Sequence, residues 1–400
     1  MGTYNFTTTQ VAVPFIAKFE ESLPVLMNSN KQLDKEYKSG TGTTITMLIP
    51  DHPDVIEGSS ISGTLAYTSG NKSLTLVQRN VAIDANSVER ALDIHSFDEQ
   101  VAKPYGAKLA SKIQTLAVED VQRSANTHYV FDTTNKEYFN EVADAVAGIR
   151  DARSFGNLIG ALSPQFSSKV AQSGFKFFNP NSQISDIFTK SRLGEFQTAM
   201  FYHTPDVKPL VTGDLALGTA TVSTAISAEG TASLVIADAG LSGGEVVKAG
   251  TAFNIAGVDA VDIYGESIGQ PYAFVAQADA TASAGSVTIS IAPIYFDKPL
   301  QNVSVASIAS GAVVTQVHEA DSRYLGGIIY DDMSLLFGSA KLAPIAGTES
   351  EVVTAGKALA VSCMKGPDVV NRREIVRWDT LTGTELVRPN WASAMWIKVG

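Results

Sequence analysis

The sequence predicts an α+β fold in which a small antiparallel β-domain is inserted into a host domain. Two observations lead there. Between Arg192 and Arg323 the chain has no arginine, tryptophan or cysteine, and its composition shifts to Ala, Gly, Val, Ser and Thr. Lys208, Lys248 and Lys298 are the only lysines in that stretch. On both sides of it the sequence mixes both charge signs and reads largely as helices. A break on both sides of a long segment marks a separately folded unit, and its mid-chain place marks it as inserted rather than appended.

The elements follow in order. In residues 10–29, Ile16, Phe19, Leu23 and Leu26 lie at helical spacing, with Pro14 and Pro24 as kinks or breaks. Residues 43–49 and 73–84 are β-branched and strand-like. Between them lies a run dense in Pro, Gly, Ser and Asn, so the pair reads as a long two-stranded excursion that needs a partner surface. A long helix follows, with Ser96 and Glu99 as a capping box, Pro104 near its start, and Tyr105, Leu109, Ile113 and Leu116 on one face as far as Val121. A second helix runs from Lys136 to Asp151 with Thr134 and Glu137 as another capping box and Tyr138, Val142, Val146 and Ile149 inward. A third has Ser163 as cap, Pro164 at its first position and Gly174 past its end.

The β-rich part begins near Thr212. Short strands are expected at 233–236, 252–255, 273–276 and 286–291, punctuated by Gly240, Gly243, Gly244, Gly250 and Gly257, as in a small sandwich or barrel. It closes by about Val317. Tyr330 to Phe337 reads as a shorter helical or mixed stretch. Strands at 358–364, 373–380 and 388–396 finish the chain.

Composition limits the function. Apolar residues are 44% of the 400 and charged residues 18%, enough for sizeable cores. The formal net charge of −11 argues against wrapping nucleic acid, though not against enclosing it. Residues 1–30 lack the basic start and apolar run of a secretory signal, and no stretch has the apolar length to span a bilayer, so the chain is expected to be cytosolic at synthesis, with no membrane partner. The one cysteine, Cys363, reads as a buried thiol in a strand.

No catalytic, cofactor-binding or metal site is expected. Of His52, His95, His128, His203 and His318, no two stand at the i, i+4 spacing of a helical metal pair, and His318-Glu319-Ala320-Asp321 reads as a solvated loop. Asp51-His52-Pro53-Asp54 reads as turn chemistry. Gly40-Thr41-Gly42 and the 240–244 run lack a nucleotide-site context, and there is no GxSxG elbow. The neighbouring carboxylates Glu119-Asp120 and Asp331-Asp332 read as solvated faces. Trp378, Trp391 and Trp396 read as core or interface anchors.

The order of pieces resembles the major capsid proteins of tailed phages, of the phage P-twenty-two coat type. The residues that carry the likeness are LPVLMNSNKQLDKEYKSGTGTTITMLIP, SLTLVQRNVAID, EQVAKPYGAKLASKIQTLAVEDVQR and LGEFQTAMFYHTPDVKPLVTGD. Within the module they are VKAGTAFNIAGVDAVD and SVTISIAP. At the end comes REIVRWDTLTGTELVRPNWASAMW, where an acidic residue and an arginine flank a turn. The resemblance implies the HK-ninety-seven capsid fold: an N-terminal arm at 1–35, an extended loop with flanking strands at 36–85, and a peripheral domain with its spine helix at 86–135. It further implies an axial domain begun at 136–212, the inserted β-rich domain at 213–317, and the remainder at 318–400. It implies self-assembly as hexamers and pentamers into an icosahedral shell around DNA, assembled in the host cytoplasm, with scaffolding protein, portal and a decoration protein as partners. Glu20 and Glu21 are candidate contacts for a basic scaffolding helix. A hydrolase with a β-rich accessory domain and a phage tail or surface adhesin are the alternative readings.

Overall fold

The computed structural model describes residues 8–31, 43–50, 69–86, 102–134, 137–174, 192–196, 198–343, 349–355, 359–368 and 373–399. It is mixed α+β, with more strand than helix, in two compact units. One gathers Met1–Thr46, Ser73–Ala117 and Leu336–Glu385, the other Met47–Lys72, Val118–Leu335 and Leu386–Gly400.

The first unit opens with helix α1, Thr8–Glu21, and the single turn α2, Pro24–Met27. Ile16, Phe19, Leu23 and Leu26 are all buried, as their spacing predicts. The break falls at Pro24, which has no N–H and holds Leu23 away from helical backbone angles. Phe15 stacks on Trp378 with ring centroids 5.0 Å apart. Helix α3, Lys103–Ser124, passes close to α1: a Cβ on Gly106 would lie 2.7 Å from the Phe15 carbonyl oxygen. The sheet of this unit runs in the order 335–340, 373–386, 359–368 and 349–355, with 77–86 also paired along 373–386. Thr44–Pro50 and Ser69–Thr75 form a two-stranded sheet linked by paired hydroxyls, Thr44 to Thr75 and Thr46 to Ser73. Leu48 on it is 64% exposed.

The second unit is built on a seven-stranded sheet in the order 127–131, 392–398, 323–331, 158–162, 199–203 and 192–196, with Leu210–Val211 on the start of 323–331. The pairs 127–131 with 392–398 and 158–162 with 199–203 are parallel, and the rest are antiparallel. Helices α4, Tyr138–Asp151, and α5, Pro164–Gly174, lay Tyr138, Val142, Val146, Ile149, Phe166 and Val170 into one core with Leu158, Ile329 and Met395.

The chain leaves this sheet after Val211 and returns at Arg323, and the two crossing points are bonded together. Leu210 pairs with Tyr324 and Val211 with Arg323. Beyond them Thr212 N–H donates to Ser322 O, Ser322 N–H donates to Thr212 Oγ1, and that hydroxyl donates to Glu319 O. Between these ends lie four small antiparallel sheets around a separate core that runs from Leu215 to Val314. The strands expected at 233–236, 252–255, 273–276 and 286–291 appear as 231–237, 252–255, 274–275 and 286–294. In the last, Val287, Ile289 and Ile291 alternate inward.

Several expectations are corrected. The described residues around the module are largely strands, because both host sheets draw strands from distant parts of the chain. Tyr330 to Phe337 is not helical. Strand Arg323–Asp331 ends there in a turn, where Ser334 N–H donates to Asp331 O, and strand Leu335–Ala340 begins. The penultimate strand extends to Leu386, and the last starts at Ala392, after a 3₁₀ turn at Pro389–Trp391. The segment 73–84 belongs to two strands, Ser69–Thr75 and Val77–Asn86. Thr134 and Glu137 do not form a capping box: Thr134 N–H turns back to Asp132 Oδ1, and Glu137 caps without a side-chain bond. Ser163 does cap α5, accepting from Phe166 N–H. The capping box of Ser96 and Glu99, and residues 51–68, lie outside the described residues.

Phe15→Ala is expected to cost roughly 3–5 kcal/mol of packing between α1 and Trp378. Tryptic cleavage after Lys18 should then accelerate sharply. An unchanged cleavage rate would show that α1 is held by something else.

Candidate functional site

The base of the module, where it meets the host sheet, brings together several chemically capable side chains. Helix α4 ends at Asp151, and Arg153 just beyond it takes a left-handed φ of +61°. That conformation costs a non-glycine residue of order 1 kcal/mol. It aims the guanidinium at Asp262, 2.5 Å from Nε, and Glu266, 3.1 Å from Nη2. Asp262 is buried, and its other oxygen accepts Tyr264 and Glu266 N–H, so its charge is compensated on both sides. The hydrogen bond to Asp262 raises the Arg153 pKa. Arg153 also lies over the Tyr264 ring, 4.9 Å from its centroid. Asn126 Nδ2 donates to Asn390 Oδ1, Asn390 Nδ2 donates to Val261 O, Ala273 N–H donates to Asn126 O, and Gln277 donates to Arg123 O.

His128 and His318, 190 positions apart in sequence, meet beside this seam with ring centroids 5.8 Å apart. His318 is fully buried, which corrects the solvated-loop reading. Its Nδ1 accepts Ala252 N–H at 3.0 Å, and His128 Nδ1 accepts Trp396 Nε1–H at 3.2 Å. Both partners can only donate, so neither Nδ1 can carry a proton and each imidazole is the neutral Nε2–H tautomer. Burial drives both pKa values down, that of His128 to about 3, with His128 adding to the effect on His318.

The remaining candidates do not converge. His203 Nδ1 lies 3.4 Å from Ser167 Oγ, and His52, His95 and the 51–54 turn lie outside the described residues. Asp331 is buried rather than solvated: it accepts Gly156 and Met333 N–H, while burial, reinforced by Asp332, raises its pKa. Glu119 and Asp120 splay as expected, Glu119 to Arg123, but Asp120 turns inward to accept Leu386 N–H, and burial raises its pKa. Cys363 and the three tryptophans are buried. Among the described residues no three His, Cys, Asp or Glu are placed to hold a metal ion, and no helix is long and apolar enough to cross a membrane.

The absence of arginine from the module has a structural counterpart. Apart from Asp262 and Glu266 at the seam with Arg153, and Asp279 with Lys248, several of its carboxylates bind backbone amides. Asp238 takes Gly218 and Gly240 N–H, Glu229 takes Phe296 and Asp297, Glu245 takes Ser242 and Gly243, Asp214 takes Val246, and Asp279 takes Ala249 as well as Lys248. Asp238 on Gly240 and Glu245 on Ser242 and Gly243 close local turns, whereas Glu229, Asp214 and Asp279 tie together loops distant in the chain, all with charge-assisted hydrogen bonds.

The outer surface carries isolated apolar groups and one acidic stripe. Phe155, edge-on to buried Trp391, is 69% exposed, and Val211, Val313 and Met333 are also exposed. Glu137, Glu141, Asp144 and Asp151 follow one line along α4. Burial and the carboxylates of Asp132, Asp144 and Glu137 push Glu141 up to about 7.

Two predictions follow from this chemistry. Asp238→Ala is expected to cost roughly 1.5–3 kcal/mol, because the Gly218 and Gly240 amides lose the charged acceptor that the buried Asp238 supplies; a urea transition of the variant measures it, and an unchanged midpoint refutes it. For His128, the folded state resists a proton that the unfolded state accepts below about 6.5. Its stabilisation is therefore complete above that pH and falls by roughly 1.4 kcal/mol per unit toward pH 3. Glu141, raised in the fold, runs the opposite way over part of that range, so the difference between wild type and His128→Phe isolates the histidine. Between pH 6.5 and 5 the variant's stability profile should lose the slope of one proton, and parallel profiles would show that His128 is not buried neutral.

A family model described as P22 coat protein, gene protein 5, matches residues 218–395, from the module through the closing strands. No curated protein matches the chain. Among solved structures, the capsid of Ralstonia phage GP4 aligns at 7% identity over 93% of this chain and 86% of that one, with a TM-score of 0.49. A Mycobacterium phage Che8 structure aligns at 8% identity over 92% and 89%, with a TM-score of 0.47. The mature capsid of bacteriophage PhiM1 aligns at 11% identity over 90% and 83%, with a TM-score of 0.44. The likeness carried by the order of pieces in the sequence is met by a family-model match over residues 218–395, a little under half of the chain.

Proposed function

We propose that the chain is the major capsid protein of a tailed phage, a subunit that assembles with copies of itself into the icosahedral shell around the genome. The observation that carries this reading is the coat-protein match over residues 218–395, which includes both the module and the strands that complete the host sheet. The role is structural rather than catalytic, and the protein's place is the virion, after assembly in the host cytoplasm. Residues 213–317 serve as the inserted domain of an HK-ninety-seven-like subunit, with α3 as its spine helix. The exposed two-stranded sheet at 44–50 and 69–75 forms the base of the extended loop. Hexamers and pentamers, scaffolding protein, portal and a decoration protein are the partners this role calls for. Many modest contacts, repeated by symmetry, close such a shell. A net charge of −11 keeps the subunits from gripping the enclosed DNA.

Expression with a phage scaffolding protein, followed by gel filtration and negative-stain microscopy, tests the proposal. Closed shells are expected. Tubes or fibres would point to a tail or adhesin role, and a uniform monomer with hydrolytic activity to an enzyme; each overturns the proposal.

A further inference from the structure

The two imidazoles at the base of the module leave a chemical requirement unmet. With both Nδ1 atoms accepting, His128 and His318 each present a buried Nε2–H with no partner at full hydrogen-bond geometry among the described residues, although the Gln122 backbone acts on His128 and offsets part of the effect of burial. Thr251 Oγ1 and Gln122 Nε2 are likewise buried and unpartnered. The two histidines and Gln122 come from chain segments gathered around Trp396. His318 lies edge-on to its indole at 5.2 Å, and His128 is tilted against it at 6.1 Å. Both Gln122 Nε2 and Trp396 Cζ3 crowd the place a Cβ would take on Gly326, at 2.6 and 3.1 Å. Thr251 immediately precedes the Ala252 amide that holds His318.

A metal ion is the wrong ligand for such a pair, because it needs a nitrogen lone pair where each ring carries a proton. Two buried donors instead call for an acceptor, and a buried donor left unpaired costs about 1–3 kcal/mol. We propose that His128 and His318 bind an internal water molecule, which accepts from both Nε2–H groups and donates to Thr251 Oγ1. Water suits the site because it accepts two hydrogen bonds and donates two, and buried waters make about three. A bound water would join the strand 127–131, the returning chain at His318 and the module's strand 252–255 through one molecule. The inference does not depend on the shell reading, since it concerns the folded subunit.

The test is a density map of the wild-type protein, as subunit or in whatever assembly it forms, at a resolution that shows ordered water. A peak within about 3.2 Å of both Nε2 atoms is expected. In His318→Phe that peak should be lost while other internal peaks remain. Rings turned so that each Nε2 meets a protein oxygen, or no peak between rings in the pose described, would overturn the proposal. So would a peak that bromide replaces with an anomalous signal, since that marks a halide site. Should His318→Phe fail to fold, the wild-type map decides alone.

Discussion

The second unit depends on the hydrogen-bonded crossing where Leu210–Val211 meets Arg323–Tyr324. The strand that begins there, Arg323–Asp331, has the closing strand 392–398 on one side and 158–162 on the other. It can take that place only if the chain returns from the module in register. Closing so long an excursion is entropically costly, though the cost grows slowly with length. The Thr212 and Ser322 bonds beside the crossing fix both ends of the excursion together. The module's core then folds as a local problem, with its own apolar cluster from Leu215 to Val314.

The two parts use different means to hold their shape. The host sheet relies on large buried side chains: Trp391, whose indole donates to Ala152 O, and Trp396 against the two histidines. The module has smaller side chains and many tight turns, so it places carboxylates where backbone amides converge. A carboxylate with two amide donors needs no long cationic partner and loses little side-chain entropy when fixed. That is a physical reason for a composition with acids but almost no bases. At the seam the two approaches meet in Arg153, a host cation on a module carboxylate.

What could be read from the sequence was local. The apolar spacing of α1 and α2, the Ser163–Pro164 start of α5, and the alternation in Ser286–Ile294 each show within a dozen residues, and the structure has them. The coat-type likeness also has a family-model match over residues 218–395. What could not be read depends on residues far apart in the chain. Nothing near His318 says that Ala252 will donate to its ring or that His128 will lie beside it. Tyr330 to Phe337 reads as helical or mixed in sequence because its strand partners come from the 158–162 and 373–386 segments. Asp331 looked solvated because the Gly156 amide that it holds is 175 positions away. Charged and polar residues were misread as surface wherever a distant backbone supplied their hydrogen bonds.

The carboxylate-held turns have a consequence for how such a protein changes over time. A clasp such as Glu245 on Ser242 and Gly243 reaches only neighbouring amides, so that loop can be rewritten while the others stay as they are, whereas Glu229 on Phe296 and Asp297 makes two distant loops change together. The crossing at 210–212 and 322–324 has no such latitude, because a one-residue slip there would turn every side chain of Arg323–Asp331 to the wrong face. Lineages of this protein should therefore diverge fastest at the module's turns and slowest at its two-strand neck. The neck, rather than the module's face, is the place to look for common ancestry.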